Sequence, residues 1–564
     1  MCRSRTSRRF LVSGTVRIIP LGGVGEIGKN MMAIEQGDDI VVIDAGLMFP
    51  DEEMLGIDLV IPDYAYLRER RQKVRGIVIT HAHEDHIGAL PYVLRDLDVP
   101  IYGTKLTVGL IRTKLKEHKL AERTTFREIT PGTPFRVGAM ELDSYAVCHS
   151  IPDAVGITIE TPYGVIVHSG DWKFDHTPVD GRVTDFARLA AIAAKGVLLL
   201  MSDSTRAEVA GYTPSERHVG ELFDGIMSRA SGRVITTTFA SNISRIKQIV
   251  DIASAWGRKT AVIGRSMENY TRTARELGYL EFPEGAIVHA ADIGKLADHE
   301  ICIITTGSQG EPTSALSRMA LGDHRHVAVK DGDTVVMSAN PIPGNEELVT
   351  RTVDNLYKLG ADVIYDPAAR PHVSGHASQE ELKLLLNILR PVHFVPIHGE
   401  YRMLVRHARI AIELGVETGH AFVMTNGDVL EIGDQGAKLG TRVHVGQVYV
   451  DGLGVGDVSQ SVMRDRWSIG SDGFFLVVLT IEKRTGRVIA GPDIVTKGFV
   501  PEHDAADLIE EAKARITSGL GEAQSGEHLA EVSALRDEIH SSLSSFLYEK
   551  TKRRPMVLPV VMQV

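Results

Sequence analysis

The chain reads as an α/β protein: a core of short strands, an inserted block of alternating helices and strands, and a small α+β tail. Four observations carry that reading. Residues 15–205 hold short apolar runs bounded by turn residues: VRIIP, MMAIE, IVVID, GIVIT, VPIYG, GVIVHSGD and GVLLLMSD. Several close on polar residues, the pattern of strands that deliver side chains to a site. From about 206 to 378, helical stretches (SERHVGELFDGIMSRA, ISRIKQIVDIASAWG) alternate with strands (RVITTTF, TAVIG, ICIITTG, DTVVMSA), which predicts a parallel α/β domain. Residues 391–440 return to short strands, VHFVPIHG, HAFVMT and VLEIG. The remainder offers one strong strand, FFLVVLTIEK, two charged helical stretches (503–517 and 527–550) and the tail KRRPMVLPVVMQV.

These patterns divide the chain into an N-terminal extension (1–14), a core in two parts (15–205 and 379–445), and an inserted domain (206–378). A Gly-rich linker (446–460, around VDGLGVGDVSQS) leads to a C-terminal α+β domain (461–564). At 564 residues the chain is too long for one core, so division into domains is expected on size alone. With 43% hydrophobic and 24% charged residues, the composition is that of an ordinary globular protein. Cys2, Cys148 and Cys302 lie far apart and form no C-x-x-C pair, which speaks against a disulfide framework or a thiolate zinc site and for a reducing, cytoplasmic setting. The basic start MCRSRTSRRF lacks the unbroken apolar stretch of a signal peptide. No run approaches eighteen apolar residues, so no membrane span is expected. The net charge of −11 disfavours a nucleic-acid partner, unless a positive groove or bound cations reverse it locally.

The stretch LGGVGEIGKN places Gly23, Gly25 and Gly28 in a G-x-G-x-x-G pattern after an apolar run, with Asp44 closing the next one but one. That is the outline of a dinucleotide fingerprint, which needs a crossover helix between its strands. Only QGDD separates MMAIE from IVVID, a turn signal that suits a hairpin instead. An NAD(P) oxidoreductase therefore rests on the glycines alone.

The stretch THAHEDHIGALP is the most informative. His81, His83, Asp85 and His86 follow a strand and precede a helix, in a chain with only 22 histidines. Three imidazoles and a carboxylate in one tight loop can face two directions and hold two cations close together, sharing an activated water. One loop cannot complete two coordination spheres, so further ligands are expected at later strand ends. His149 after SYAVC, Asp171 ending VIVHSGD and His398 ending VHFVPIHG occupy such places.

With these residues the chain resembles the metallo-β-lactamase fold, and within it the β-CASP nucleases and the bacterial ribonuclease J family. The H-x-H-x-D-H motif stands as His81, His83, Asp85 and His86. TTTFASNISRI, TTGSQGEPTSALSRM, PHVSGHASQEE and RRPMVLPVV also look like ribonuclease J. The resemblance implies an αββα sandwich with an inserted β-CASP domain, matching the 227 residues between Asp171 and His398. It gives one metal to His81, His83 and His149 and the other to Asp85, His86 and His398, with Asp171 bridging and Asp44 supporting the loop. In this family the glycine stretch is a turn beside the site. Nitrogen and oxygen ligands without thiolate suit two Zn²⁺ or Mn²⁺ ions and do not choose between them.

His376, oriented by Asp203, is the candidate acid for the leaving oxygen. His372, Val373, Ser374, Gly375 and His376, ahead of a helix, suggest a phosphate cradle. Phe239, Ser241 and Asn242 are candidate nucleotide contacts, with Phe239 stacking on a base. The basic runs 68–75 and 550–554 read as solvated faces or flanks of an RNA path. The resemblance implies a ribonuclease acting on single-stranded RNA, 5′-to-3′ from a monophosphate end and also internally. It further implies a homodimer or homotetramer and RNA-degradation proteins as partners. A thioesterase or lactonase on the same metal core is disfavoured by the insertion, and a degenerate scaffold by the full ligand set.

Overall fold

A computed structural model describes residues 14–564 except 52, 312, 342–344, 370, 453, 484–486 and 524–531. The expected N-terminal extension (save Gly14) and the start of the helical stretch at 527 lie outside the described residues. The chain forms two compact units, one running up to Phe49 and over Leu59–Val448, the other comprising Pro50–Asp58 and Tyr449–Val564.

Two sheets form the core of the first unit. The eight-stranded one runs in the order Gly436–Leu439, Leu430–Gly433, Val16–Gly22, Met31–Gln36, Asp39–Ile43, Val74–Val78, Ile101–Gly103 and Phe126–Glu128. Met31–Gln36 and Asp39–Ile43 pair antiparallel across a two-residue turn, the hairpin that QGDD signals. The six-stranded sheet runs His393–Ile397, Val197–Asp203, Gly164–His168, Val155–Thr161, Met140–Ala146 and Phe135–Val137. Ile18, Ile34, Val41 and Ile43 of the first sheet meet Ile157, Ile166, Leu199 and Val395 of the second in one buried cluster. The outer face of the second sheet is covered by helices Phe186–Lys195, Gln379–Leu389 and Tyr401–Glu413, which share a cluster with Val167, Leu200 and Phe394. Strands such as Asp39–Ile43 are buried at every position because both faces are covered, which is why they read as unbroken apolar runs.

The inserted block is a five-stranded, all-parallel sheet in the order Lys259–Ile263, Ile301–Thr305, Val234–Thr237, Thr334–Met337 and Asp362–Ile364. One face packs on helices Arg217–Arg229 and Ile243–Ala255, the other on Ala315–Ala320 and Glu346–Lys358. The chain leaves this sheet after Asp203 and rejoins it at His393, and these two strands are parallel neighbours, Leu199 opposite His393 and Asp203 opposite Ile397. The insertion is thus a loop between adjacent strands, and its closure sets Asp203 beside His398.

HAFVMT differs from expectation. It forms only an isolated bridge between Ala421 and Phe394, because the turn at Thr418–His420 and the Thr425–Asp428 turn leave too few residues for a ladder. In the second unit, Val450 and Asp451 pair back onto Val455 and Gly454, so the Gly-rich stretch contains a tight hairpin. Its main sheet orders Val488–Lys497, Phe474–Ile481 and Met556–Gln563, and helices Glu502–Ala523 and Val532–Thr551 cover one face. Phe474–Ile481 alternates buried and half-buried residues, the signature of a sheet packed on one side. No helix among the described residues is long and apolar enough to cross a membrane.

Candidate metal centre

The strand Val74–Val78 ends just before Thr80, and the chain then turns through His81 and His83 into the short helix Glu84–Ile87. This turn brings the expected side chains together with those at later strand ends. His83 Nδ1 lies 3.0 Å from His81 Nε2 and 3.1 Å from His149 Nε2. His398 Nε2 lies 3.2 Å from Asp85 Oδ2, and His86 Nε2 lies 3.4 Å from the same oxygen. Asp171 stands between the two groups. Its Oδ2 is 3.2 Å from His86, 3.3 Å from His398, 3.7 Å from His81 and 3.8 Å from His149. One atom from each of His81, His83, His149 and Asp171 falls within 4.8 Å of the others, and the same holds for Asp85, His86, Asp171 and His398.

Each inward-facing imidazole has its second nitrogen at hydrogen-bond distance of a neighbour, His83 the most loosely, with Ser150 Oγ 3.5 Å from its Nε2. Asp44 Oδ2 accepts from His86 Nδ1 at 2.8 Å, while the same carboxylate accepts from the Thr80 amide and hydroxyl. Thr80 Oγ1 is 3.1 Å from His81 Nδ1. The Gly375 carbonyl accepts from His149 Nδ1 at 2.8 Å, and Thr205 Oγ1 lies 2.8 Å from His398 Nδ1. Such contacts fix the ring orientation and the tautomer of a ligating histidine. Asn30 adds a further hold, its Nδ2 donating to Asp85 O at 3.0 Å and Oδ2 at 3.3 Å. Tyr270, on helix Arg265–Glu276 of the inserted block, donates its hydroxyl to Ala82 O at 3.0 Å, between the first two histidines. Sequence reasoning missed Asn30, Thr80, Thr205 and Tyr270. Thr80 and Thr205 adjoin strand ends that carry ligands, a signal that was readable; Tyr270 gives none, being 184 residues past the H-x-H-x-D-H loop.

The glycine stretch is a strand-to-strand turn against this site. Val24 and Gly25 pair with Gly399 and Glu400, and the His398 amide donates to Gly23 O at 3.1 Å. Gly23 has φ +82°, and a Cβ there would stand 2.2 Å from Asn30 Oδ1, so glycine is required for Asn30 to reach Asp85.

Electrostatically the site is a set of neutral and cationic imidazoles around ionised carboxylates. Burial lowers His81 and His149 well below the ordinary range and His83 to about 4, leaving lone pairs free. Burial opposes charge on His398 too, but Asp171, Asp85 and Asp203 raise it to about 9. Burial would raise Asp171, yet His398 and His86 hold its carboxyl well below the usual range. The neutral His81, His83 and His149 beside ionised Asp171, with no thiolate, fit a divalent cation of the zinc or manganese type. Against burial, Asp171, Asp85 and Asp44 hold a proton on His86, and Asp171, Asp85 and Asp203 hold one on His398; both protons would have to leave for a second cation.

His376 Nδ1 lies 2.7 Å from Asp203 Oδ2 and 3.9 Å from Asp171. Asp203 Oδ1 in turn accepts from the Thr205 amide and hydroxyl. Burial disfavours the imidazolium of His376, but Asp203 outweighs it and the group is raised. Ser374, Gly375 and Asn242 line a cavity of about 60 Å³ together with His149 and Ser150. Gly375 admits no side chain, since a Cβ would stand 2.7 Å from the His149 ring.

The rest of the expected cradle faces elsewhere. His372 Nδ1 is 2.9 Å from Arg245 Nη1, and burial with the nearby Arg245 lowers it well below the ordinary range, so this imidazole is neutral. Val373 is 4% exposed and packs in the inserted domain's core. Phe239 and Ser241 are half-buried in the turn after strand Val234–Thr237 and do not line the cavity. Asn242 is 1% exposed and caps helix Ile243–Ala255, accepting from the Arg245 amide. The basic run 68–75 is largely matched to acids, through Glu69, Asp38 and Asp39.

Two sheets enclosing a His/Asp cluster, with a parallel α/β block inserted before the last ligand strand, define a metallo-hydrolase of the metallo-β-lactamase class. Residues 24–204 match the metallo-beta-lactamase superfamily, 231–356 the ribonuclease J beta-CASP domain, 369–422 the Zn-dependent metallo-hydrolase RNA specificity domain and 461–564 the ribonuclease J C-terminal domain. The chain is 46% identical to ribonuclease J2 of Bacillus subtilis (strain 168), over 97% of this chain and 99% of that one. It is 42% identical to ribonuclease J 1 of Streptococcus pyogenes serotype M3, over 97% of each. A similarity of fold alone, TM-score 0.53 at 15% identity, links it to a protein of unknown function from Enterococcus faecalis V583, covering 74% of this chain and 100% of that one. The chain belongs to the ribonuclease J family and is a nuclease hydrolase.

Proposed function

We propose that this nuclease hydrolyses RNA phosphodiesters with two divalent cations, Zn²⁺ or Mn²⁺, as a 5′-to-3′ exonuclease on monophosphorylated single strands and as an endonuclease. The observation that carries the reading is Asp171 Oδ2, within 3.2–3.9 Å of five imidazole nitrogens and central to both ligand groups. His81, His83 and His149 would hold one cation and Asp85, His86 and His398 the other, with Asp171 available to both. When bound, the pair supplies an activated water and neutralises charge at the phosphorus. Asp44, Thr80, Thr205 and the Gly375 carbonyl keep the ligand rings aimed. His376, held and charged by Asp203, donates the proton that the leaving 3′ oxygen needs. The Ser374–Gly375 turn receives the terminal phosphate, while His372 anchors the loop to Arg245.

The division of labour follows the borders given above: 15–205 and 379–445 carry the ligands, 206–378 walls the RNA channel, and 461–564 supports a homodimer or homotetramer. RNA decay and the maturation of rRNA and mRNA in the cytoplasm, with RNA-degradation proteins as partners, are the corresponding cellular roles. The test is incubation of 5′-labelled monophosphate and triphosphate RNAs with Zn²⁺- or Mn²⁺-reconstituted protein. Mononucleotide release from the monophosphate end is expected; equal attack on both ends, or no attack, would refute the exonuclease assignment.

A further inference from the structure

In a chain of net charge −11, residues 105–127 carry seven Lys or Arg and two Glu. They comprise helix Lys105–Glu117 and the turn and strand that follow it. Lys105, Arg112 and Lys116 recur at i, i+7 and i+11, so they share one face of the helix. Lys119 and Arg123 continue the line beyond its C-terminus, and all five side chains are exposed. None of the five has a carboxylate within 4 Å among the described residues. Their contacts are neutral: Lys105 to Leu277 O, Arg123 to Leu94 O, and Arg112 over the Phe126 ring. Of the neighbouring acids, Glu84 is engaged by Lys114 and Glu117 by Asn269, while Glu122, the other acid of the stretch, pairs with none of the five cations. Surface cations are normally interleaved with acids, as in the run 68–75, so an unmatched line of five is a field without an internal partner.

The line starts at the cavity beside His149 and Ser374. The Leu106 amide and Thr104 hydroxyl, at the helix start, bond to the carboxylate and carbonyl of Asp153, which lines the cavity beside His149 and Ser374. The Asp153 carboxylate also takes Arg182 and the Tyr279 hydroxyl, so it is neutralised and offers no repulsion to a phosphate chain. From Lys105 to Lys116 the helix rises about 16 Å, a span that passes several nucleotides of an extended strand.

We propose that this helix face is a docking track for the phosphate backbone of the RNA substrate outside the cleft, leading from the Asp153 rim across Arg112 and Lys116 to Lys119. Backbone contacts of this kind position a strand without reading its sequence. The track rests on the nuclease reading, and the test separates the two. The metal-loaded full-length protein and a Lys105→Gln, Arg112→Gln, Lys116→Gln, Lys119→Gln variant are compared on 5-nucleotide and 30-nucleotide 5′-monophosphate RNAs over a salt series. On the 30-mer the variant's kcat/KM falls about ten-fold near physiological salt, and its salt slope drops by up to about 3, since each lost phosphate contact on a single strand removes about 0.7. The 5-mer, confined to the cleft, is cleaved at the unaltered rate. Equal losses on both lengths, or no loss on either, would overturn the track while leaving the nuclease standing. Wild-type protein that cleaves neither RNA would overturn both.

Discussion

At the scale of the residue, Asp203 and His376 give the sharpest expectation. Asp203 lies 2.7 Å from His376 and raises it, so the imidazolium persists to higher pH than an isolated histidine's. Asp203→Asn removes that support: kcat falls by about 10²–10⁴, and the alkaline limb of the kcat profile moves to lower pH. An unmoved limb would assign the pair a purely architectural role. Asp44 acts one step further out. It touches no expected cation position, but accepts from His86 Nδ1 and from both Thr80 donors. Asp44→Asn is expected to weaken metal retention about 10–100-fold, measured by metal content after dialysis against graded chelator, with thermal stability as the control. These side chains were legible through the likeness to the β-CASP nucleases, with Asp44 and Asp203 closing strands and His376 in the PHVSGHAS loop. His372 was not, because its sequence neighbourhood resembles a phosphate loop and only the buried Arg245 reveals which way the ring turns.

Among the elements, helix Gln379–Leu389 shows how much one side chain can carry. Glu381 is fully buried, and its carboxylate accepts from the amides of Phe174, Thr213 and Ser378, joining three segments of the first unit to one helix N-terminus. Glu381→Leu keeps the volume and strands three buried donors, costing about 3 kcal/mol or more. Urea unfolding reads the loss, and an unchanged midpoint would contradict this account. The capping box Ser378–Glu381 is visible in the sequence, but the reach of that carboxylate to residues 174 and 213 is not, since nothing local records it. The same limit applies to HAFVMT, whose apolar pattern predicts a strand but whose flanking turns allow one bridge. The hairpin at QGDD was legible because four residues cannot hold a crossover helix.

For the molecule as a whole, acid stability should depend on His407. It is 0% exposed, and burial lowers it to about 3, whereas an unfolded histidine titrates near 6.5. The unfolded chain therefore binds a proton that the folded chain refuses. Stability is full above about pH 6.5 and is lost as pH falls toward 3, by up to about 1.4 kcal/mol per pH unit. His407→Gln should flatten the dependence between pH 7 and 5 in denaturant titrations; an unaltered slope would place the acid sensitivity elsewhere. Deleting residues 455–564, which hold most of the second compact unit, should lower the assembly state in sedimentation while metal content stays unchanged, because every proposed ligand lies at or before His398. The adjacency of strands Val197–Asp203 and His393–Ile397 has one further consequence. During synthesis the ribosome must finish nearly 400 residues before the last proposed ligand exists and the two strands can meet. A polypeptide abandoned anywhere earlier lacks His398, and one abandoned before residue 376 lacks the proposed proton donor as well. Products of translation that end before residue 398 therefore lack part of the proposed ligand set and are expected to be inert toward RNA, the transcript that encodes them included.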